Sequence, residues 1–332
     1  MPAKNKYPYK FSVAPMLNYT DFYCHFFYRQ LTQKTLLYTE MYTTKQIIHQ
    51  FINTNIKIYP PTSLQLAGNN IKEFIICAKW AEKIGFNEIN INLGCPSKSA
   101  QKGNFGICLM NQPEIVFKII QELYYTISLP ISVKIRLGIT KKNNFYFLKN
   151  FIQEISKKKY CKRFVIHARN ADLTLTKTYQ NRNIPPLNYS YVYKIKKYFP
   201  KLIIILNGGL QNINNDIKHL KKLDGIMMGR KIYKNPLILT KIDKIIFNQK
   251  KKYNILKILR KTIQYAEKKM KKGIHPFKII KHFLNTFSGI SNSKKWKKYL
   301  LTELKNTKNL TRTLNDSFKL FSLTDLNSFK KF

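Results

Sequence analysis

Short apolar runs alternate along this chain with longer stretches whose apolar residues recur at helical spacing, from Phe11 to Met228. Residues 11–14 form the first run, ended by Pro15-Met16-Leu17. Thr20 then offers an N-cap for an aromatic, helix-like stretch reaching about Leu31. Residues 35–39 read as a strand ending at Glu40, and a helical stretch follows to about Ile52. The next units pair a strand over 62–67 with a helix over 71–84, and a strand from Glu88 with a helix over 113–126. Pro113 suits the first helical turn. Strands over 131–136, 164–168, 202–206 and 225–228 complete the series, separated by helices over 145–155, 188–199 and 213–220. The Glu88 strand alternates polar and apolar residues through Leu93, the period-2 pattern of a strand. Gly94 and Pro96 stop it. They leave Cys95 on a polar, basic, glycine-bearing loop that should be mobile and able to approach a ligand.

Eight strand-then-helix units with short apolar strands predict a parallel sheet. That number predicts an α/β fold of the (β/α)8 TIM-barrel type. An open doubly wound sheet is disfavoured because no G-x-G-x-x-G opens a first helix. After about Pro236 the strand rhythm stops and only Lys-rich helical stretches follow. Leu256, Leu259, Ile263 and Ala266 give one of them an apolar stripe. The expected organisation is a barrel domain over residues 1–240 and a small all-helical domain over 241–332.

In such a barrel the chemistry lies at the C-terminal ends of the strands. Those ends carry Pro15-Met16, Glu40, Gln65, Asn90 with Asn92 and Cys95, Lys134 with Arg136, His167 with Arg169, Asn207-Gly208-Gly209 and Gly229-Arg230. Any single Gln or Asn could serve only a loop backbone. His167 could be a core histidine. Lys134, between Val133 and Ile135, is costly to bury without an anionic or electron-rich partner. The glycine-bearing ends of the last two strands let backbone N–H groups face an anion, as recurs in this fold, and Arg230 adds a fork for phosphate. Two ordinary turns with a surface arginine would leave the same pattern; a phosphate bound there suggests a phosphorylated cofactor, with Lys134 near its ring system and His167 placed to meet a polar ring edge.

Charge and cysteine usage narrow the picture. The 332 residues include 60 Lys and Arg against 16 Asp and Glu, a net charge of +44. A polyanionic partner such as nucleic acid is one source of this excess. The even spread of Lys assigns the larger share to compositional drift, so a nucleic-acid site has to be argued from placement. With 44% hydrophobic and 14% aromatic residues the chain can bury a sizeable core. The five cysteines are odd in number and form no C-x-x-C pair, which argues against a disulfide framework or a metal site and for a reducing compartment. Neither a signal-peptide pattern nor an apolar run of membrane-spanning length is expected. The expectation is a cytoplasmic protein with no membrane association and no obligate protein partner.

The motifs at the strand ends resemble those of the tRNA-dihydrouridine synthase family. Ala14-Pro15-Met16-Leu17, Leu37-Tyr38-Thr39-Glu40-Met41, Leu64-Gln65-Leu66, Ile89 through Pro96, Val133-Lys134-Ile135-Arg136, Ile166-His167-Ala168-Arg169, Asn207-Gly208-Gly209 and Met228-Gly229-Arg230 stand in order at family spacing. Asn181-Arg182 followed by Ile184-Pro185-Pro186-Leu187 is similar to the bacterial A subfamily. The resemblance covers essentially the whole chain and is weaker after about residue 245. It implies an FMN-containing barrel with a helical C-terminal domain, and NADPH-dependent reduction of the uridine C5–C6 bond at tRNA positions 20 and 20a. By positional match it implies FMN contacts from Pro15, Met16, Leu17, Gln65, Lys134, His167, Asn207, Gly208, Gly209, Gly229 and Arg230. Cys95 becomes the catalytic acid. Asn90, Asn92, Arg136, Arg169, Tyr179, Arg182, Lys294 and Lys297 become candidates for contacts to the base or the tRNA. No metal is implied. An ordinary thiol, with a pKa of about 8.5, is protonated at neutral pH and can supply a proton. The chain departs from the family at Asn18, where an acid is common, at Tyr179, where a basic residue is common, and near Trp296, where Lys replaces Arg and loses the bidentate fork. Two other readings fit parts of the pattern. One is an FMN barrel acting on a small molecule, similar to dihydroorotate or old-yellow-type enzymes. The other is a non-catalytic tRNA-binding protein that has kept the fold.

Overall fold

In the computed structural model, which describes residues 9–140, 144–175, 179–303 and 309–330, the short runs become eight parallel strands closed into a barrel in sequence order. They are β1 (Phe11–Val13), β2 (Leu36–Thr43), β3 (Thr62–Ala67), β4 (Glu88–Leu93), β5 (Ile131–Arg136), β6 (Arg163–His167), β7 (Ile203–Asn207) and β8 (Gly225–Met228). β8 returns to β1, with Phe11, Ser12 and Val13 opposite Ile226, Met227 and Met228. Helices follow the last strand, so the expected architecture of barrel plus C-terminal helices is the one the chain adopts. Among the described residues no helix is long and apolar enough to cross a membrane.

The elements between strands form where the apolar spacing and stop signals agree. The helix Ile71–Ile84 is capped by Asn70, whose side chain accepts from Glu73 N, and it buries Phe74, Cys77, Ala78 and Ala81. The helix Pro113–Thr126 starts on proline, as expected, and buries Val116, Ile119, Ile120 and Leu123. The stretch after β2 is a short helix, Thr44–Gln46, continued as a wider turn over Ile47–Phe51. Thr20 is not the cap of the first helix. Asp21 caps Phe22–Leu31, because its carboxylate reaches Cys24 N at 2.8 Å.

β4 differs from what its alternation suggests. Such a pattern usually marks a strand with one wet face, yet all six residues are buried. Successive side chains point to opposite faces. Glu88, Asn90 and Asn92 therefore turn toward the barrel interior, where neighbouring strands supply polar partners. Glu88 Oε1 accepts from the Tyr38 hydroxyl at 2.8 Å, from Ser63 Oγ at 2.9 Å and from Ser132 Oγ at 2.6 Å. Its carboxylate also pairs with Arg163, whose guanidinium lies 3.2 Å from the centroid of the Tyr9 ring. Ala14, Leu36, Val165, Ile205 and Met227 make an apolar cluster around the Tyr38 ring. The interior is thus polar along β3 to β5 and apolar around β7, β8 and β1.

Glu88 opens its strand, so this ion pair sits at the N-terminal end of the barrel, where side chains serve stability. Removing one partner of a buried pair strands the other charge. Glu88→Ala is expected to lower unfolding stability by about 3–5 kcal/mol, read from the urea midpoint. A loss below about 1 kcal/mol, the range of an exposed pair, would show that Arg163 reaches water instead.

The chain forms two compact units: residues 1–18 with 36–228, and residues 19–35 with 229–332. The second begins at Gly229 and takes in the first helix, whereas the sequence alone suggests a division at 240. Aromatic packing explains the grouping. Phe26 stacks on Tyr265 at 4.0 Å between centroids, and Gln30 Nε2 donates to Thr262 Oγ1 at 3.1 Å. Both partners belong to the helix Ile255–Met270, whose predicted stripe of Leu256, Leu259, Ile263 and Ala266 is buried. Trp296 is fully buried against Phe287 and donates its indole N–H to Ser317 Oγ at 2.9 Å.

Candidate active site

The interior polar residues of β3, β4 and β5 form a continuous hydrogen-bonded ladder. Ser132 Oγ donates to Glu88, and Asn90 Nδ2 donates to Ser132 Oγ at 2.7 Å. Gln65 Nε2 donates to Asn90 Oδ1 at 2.7 Å, and Asn92 Nδ2 donates to Gln65 Oε1 at 2.9 Å. At the top, Gly94 N and Cys95 N both donate to Asn92 Oδ1, at 3.1 and 3.0 Å. Every bond runs the same way, toward the Glu88 carboxylate, so the bonds reinforce one another. The ladder fixes the amide orientations of Gln65, Asn90 and Asn92 and ends on the backbone of the cysteine loop.

That loop is more ordered than its composition suggests. Ser97 caps a short helix, Lys98–Lys102, accepting from Ala100 N at 3.2 Å. A serine just ahead of a helix is a signal readable in the sequence, although the loop alone does not advertise it. Gly106, at φ +63°, lets Ile107 N reach back to Cys95 O at 3.1 Å. A Cβ there would lie 2.9 Å from that same oxygen. Cys95 is half-buried, and its Sγ donates to Ser97 Oγ at 3.4 Å. Cys24, Cys77 and Cys161 are buried, and burial pushes Cys77 and Cys161 up to about 12. Only Cys95 and Cys108 are partly open, and Cys95 alone sits at a strand end.

β5 contributes two cations to the same end of the barrel. Lys134 pairs in register with Asn92 and has no ion-pair or hydrogen-bond partner among the described residues. Burial pulls its pKa down to about 7, the neighbouring Arg136 charge adds to the fall, and Cys95 opposes it. Arg136 is also lowered, to about 10, chiefly by burial, with Cys95, Arg182 and Arg169 close enough to act on its charge. Its guanidinium is committed to backbone: Nε donates to Gly94 O at 2.9 Å and Nη1 to Asn181 O at 2.9 Å. Arg169 donates to Pro185 O. Arg182 and Tyr179 are exposed on the segment held by Asn181. The side chain of Asn181, which sequence reasoning did not single out as functional, brackets Asp172 by accepting from its N at 2.7 Å and donating to its O at 2.8 Å.

β6 and β7 add a cradle. Gly208 and Gly209 have φ of +105° and +72°, which L side chains rarely adopt. A Cβ on Gly208 would meet His167 Cδ2 at 2.4 Å, and one on Gly209 would meet Leu187 Cδ1 at 2.4 Å. The glycines therefore let this turn close directly on His167. Asn207 Nδ2 donates to Met227 O at 2.9 Å and ties β7 to β8. Pro15 and Met16 follow β1 half-buried, and Leu17 is 61% exposed. In the second unit, Gly229 leads into the short helix Arg230–Lys234 with Arg230 exposed. Lys297 Nζ donates to Asn285 Oδ1 at 3.0 Å, and Lys294 is exposed. His275, Phe277, Lys294, Lys297 and Lys298 help line a cleft of about 850 Å³ in that unit.

The residues present suit an anionic, electron-rich ring cofactor. Lys134 is a largely buried cation without a partner, and the turn at Gly208 and Gly209 packs its backbone directly against His167 and Leu187. Among the described residues no group of three or more His, Cys, Asp or Glu is placed to hold a metal ion.

A (β/α)8 barrel with a thiol, an unpaired lysine and a glycine cradle gathered at the strand C-termini is an enzyme architecture. The family model for dihydrouridine synthase (Dus) matches residues 12–321, and the chain belongs to the dihydrouridine synthase family. It is 40% identical over 302 residues to the tRNA-dihydrouridine(20/20a) synthase of Yersinia pestis, covering 90% of this chain and 87% of that one. It is 39% identical over 297 residues to the protein of the same name from Vibrio cholerae, covering 88% and 90%. Among solved structures, the histamine dehydrogenase of Rhizobium sp. 4-9 shares the fold at 12% identity and a TM-score of 0.51, over 73% of this chain and 48% of that chain.

Proposed function

We propose that this protein is a flavin-dependent tRNA-dihydrouridine synthase, reducing the C5–C6 bond of uridines 20 and 20a in the tRNA D-loop with NADPH as reductant. The observation that carries the reading is Cys95, held half-open at the end of β4 within electrostatic range of the unpaired Lys134. It stands in a chain about 40% identical to relatives of that name. Lys134, His167, Gly208 and Gly209 would hold FMN together with Pro15, Met16 and Leu17, and the family resemblance adds Gly229 and Arg230 as FMN contacts. Gln65 would act through the ladder that sets Asn90 and Asn92. When bound and reduced, FMN supplies the hydride that uridine accepts at C6.

The chain's own residues do the rest. Negative charge develops toward C5 and O4 as C6 is attacked, and Cys95 Sγ gives its proton to C5, leaving a thiolate that solvent reprotonates. Lys134 stabilises electron density beside it. The uridine has to leave the stacked tRNA elbow to enter a pocket at the top of a barrel. Arg182 and the lysines of the helical unit would hold phosphates meanwhile. A protein with this role works in the cytoplasm, where its tRNA is.

Mass-spectrometric mapping of tRNA treated with the protein and NADPH tests the reading. Dihydrouridine at positions 20 and 20a is expected, and none at any position overturns it. Lys294→Ala with Lys297→Ala is expected to weaken tRNA binding uniformly across tRNAs. It should also lower the slope of log affinity against log salt by about one per lysine lost. An unchanged slope would remove these two lysines from the tRNA face.

A further inference from the structure

Arg136 is the last residue of β5, only 4% exposed, and bonded on two sides to the backbone of its own chain. Its Nε donates to Gly94 O at 2.9 Å, and its Nη1 donates to Asn181 O at 2.9 Å and more loosely to Asn170 O at 3.4 Å. Gly94 immediately precedes Cys95, Asn181 immediately precedes Arg182, and Asn170 follows Arg169. Three carbonyls, each adjacent in sequence to a residue of the site, thus converge on one guanidinium. Both anchored segments carry a second lock. Asn92 Oδ1 accepts from Gly94 N and Cys95 N, and the Asn181 amide brackets the backbone of Asp172.

We infer that Arg136 is a positioning residue, clasping the cysteine loop to Asn170 and Asn181 so that Cys95 and Arg182 are presented in one fixed geometry. The planar fork is what the position requires. It reaches carbonyls on two sides at once, whereas a lysine offers its donors from a single point. The same commitment turns Nε and Nη1 away from the tRNA, and at 4% exposure Arg136 offers little surface to a phosphate. The naming of Cys95 as proton donor rests on the proposed function. The clasp itself rests on the hydrogen bonds alone.

The test compares Arg136→Lys and Arg136→Met with the unaltered holoenzyme. Cys95 and Cys108, the two partly open thiols, are alkylated with iodoacetamide and quantified by peptide mass spectrometry. Both variants should raise the Cys95-to-Cys108 labelling ratio at least about threefold, as a loop freed of its anchor opens more often. They should keep the flavin colour and bind tRNA with the parent's salt slope, since no phosphate contact is removed. Single-turnover reduction of tRNA uridine by the pre-reduced enzyme should fall by about a hundredfold, the effect of a displacement near 1 Å. An unchanged labelling ratio would overturn the clasp. So would a weaker tRNA affinity whose salt slope drops by about one, which would make Arg136 a phosphate contact. If the Met variant does not fold, the Lys variant decides, since it keeps the buried charge and most of the volume. If the unaltered protein forms no dihydrouridine, the functional reading fails while the labelling ratio still decides the clasp.

Discussion

Cys95→Ala is expected to retain bound FMN and its reduction by NADPH, and to form dihydrouridine about 10²–10⁴-fold more slowly, the usual contribution of a positioned general acid. The physical ground is the separation of roles along one strand. The ladder through Gln65, Asn90 and Asn92 ends on the Gly94 and Cys95 amides, not on the thiol. Truncating the side chain therefore leaves the loop held by Asn92 and by the Ile107 N–H on Cys95 O. The proposed flavin contacts, Lys134 and His167 among them, lie on other strands. Stopped-flow flavin reduction and single-turnover tRNA modification separate the two half-reactions. Cys95→Ser should be impaired in the second as well, because a hydroxyl is a far weaker acid than a thiol. Dihydrouridine formed by Cys95→Ala at the parent rate would move the proton to another donor.

Lys134→Met is expected to weaken FMN binding at pH 7 by about ten- to a hundredfold, the range for a hydrogen bond to a charged group, and to flatten its pH dependence. In the protein alone burial is the main reason the Lys134 pKa falls from 10.5 to about 7, and the Arg136 charge lowers it further. An electron-rich ring favours the charged form, so FMN binding above pH 7 takes up a proton. Affinity should then fall by up to about tenfold per pH unit above 7 in the parent, but not in the variant. The FMN phosphate, with its second pKa of about 6, is already a dianion there. The same lysine sets a stability slope without the cofactor. Between pH 7 and 10.5 the unfolded chain holds a proton on Lys134 that the folded chain lacks, so stability rises with pH in that window. Lys134→Met should lose this slope. Flavin fluorescence titrations and urea melts from pH 6 to 9 read both effects, and parallel profiles for parent and variant would remove Lys134 from the flavin site.

Much of the scaffold was legible because local signals agreed. The helices Ile71–Ile84 and Pro113–Thr126 and the strands β3, β5 and β8 begin and end where apolar spacing and the Gly, Pro and Asn punctuation place them. The strand ends could be read for the same reason, so Lys134, Cys95 and the Gly208-Gly209 turn stood out as a set. Cap choice was less legible. Thr20 and Asp21 are both good N-caps, and His282 Nε2, 2.9 Å from Asp21 Oδ1 and 261 positions away in sequence, shares the carboxylate that caps the helix. The roles of Asn92 and Arg136 were the least legible. Each has the chemistry to meet a substrate, and only the positions of the Gly94 and Asn181 carbonyls show that each serves backbone first.

The sequence by itself determined that this chain builds alternating strands and helices, that its polar residues gather at strand ends, and that one of them is a lone thiol between Gly94 and Pro96. These are matters of spacing and residue type, which act over a few positions. The tertiary structure alone decided what the alternating residues of β4 face. Barrel closure turned Glu88, Asn90 and Asn92 inward to meet β3 and β5, made a polar interior affordable by pairing Glu88 with Arg163, and carried that order up to the amide of Cys95. Partners from other strands or from distant parts of the chain leave no local pattern. The direction of a buried polar side chain is set by which carbonyls and amides folding brings to it.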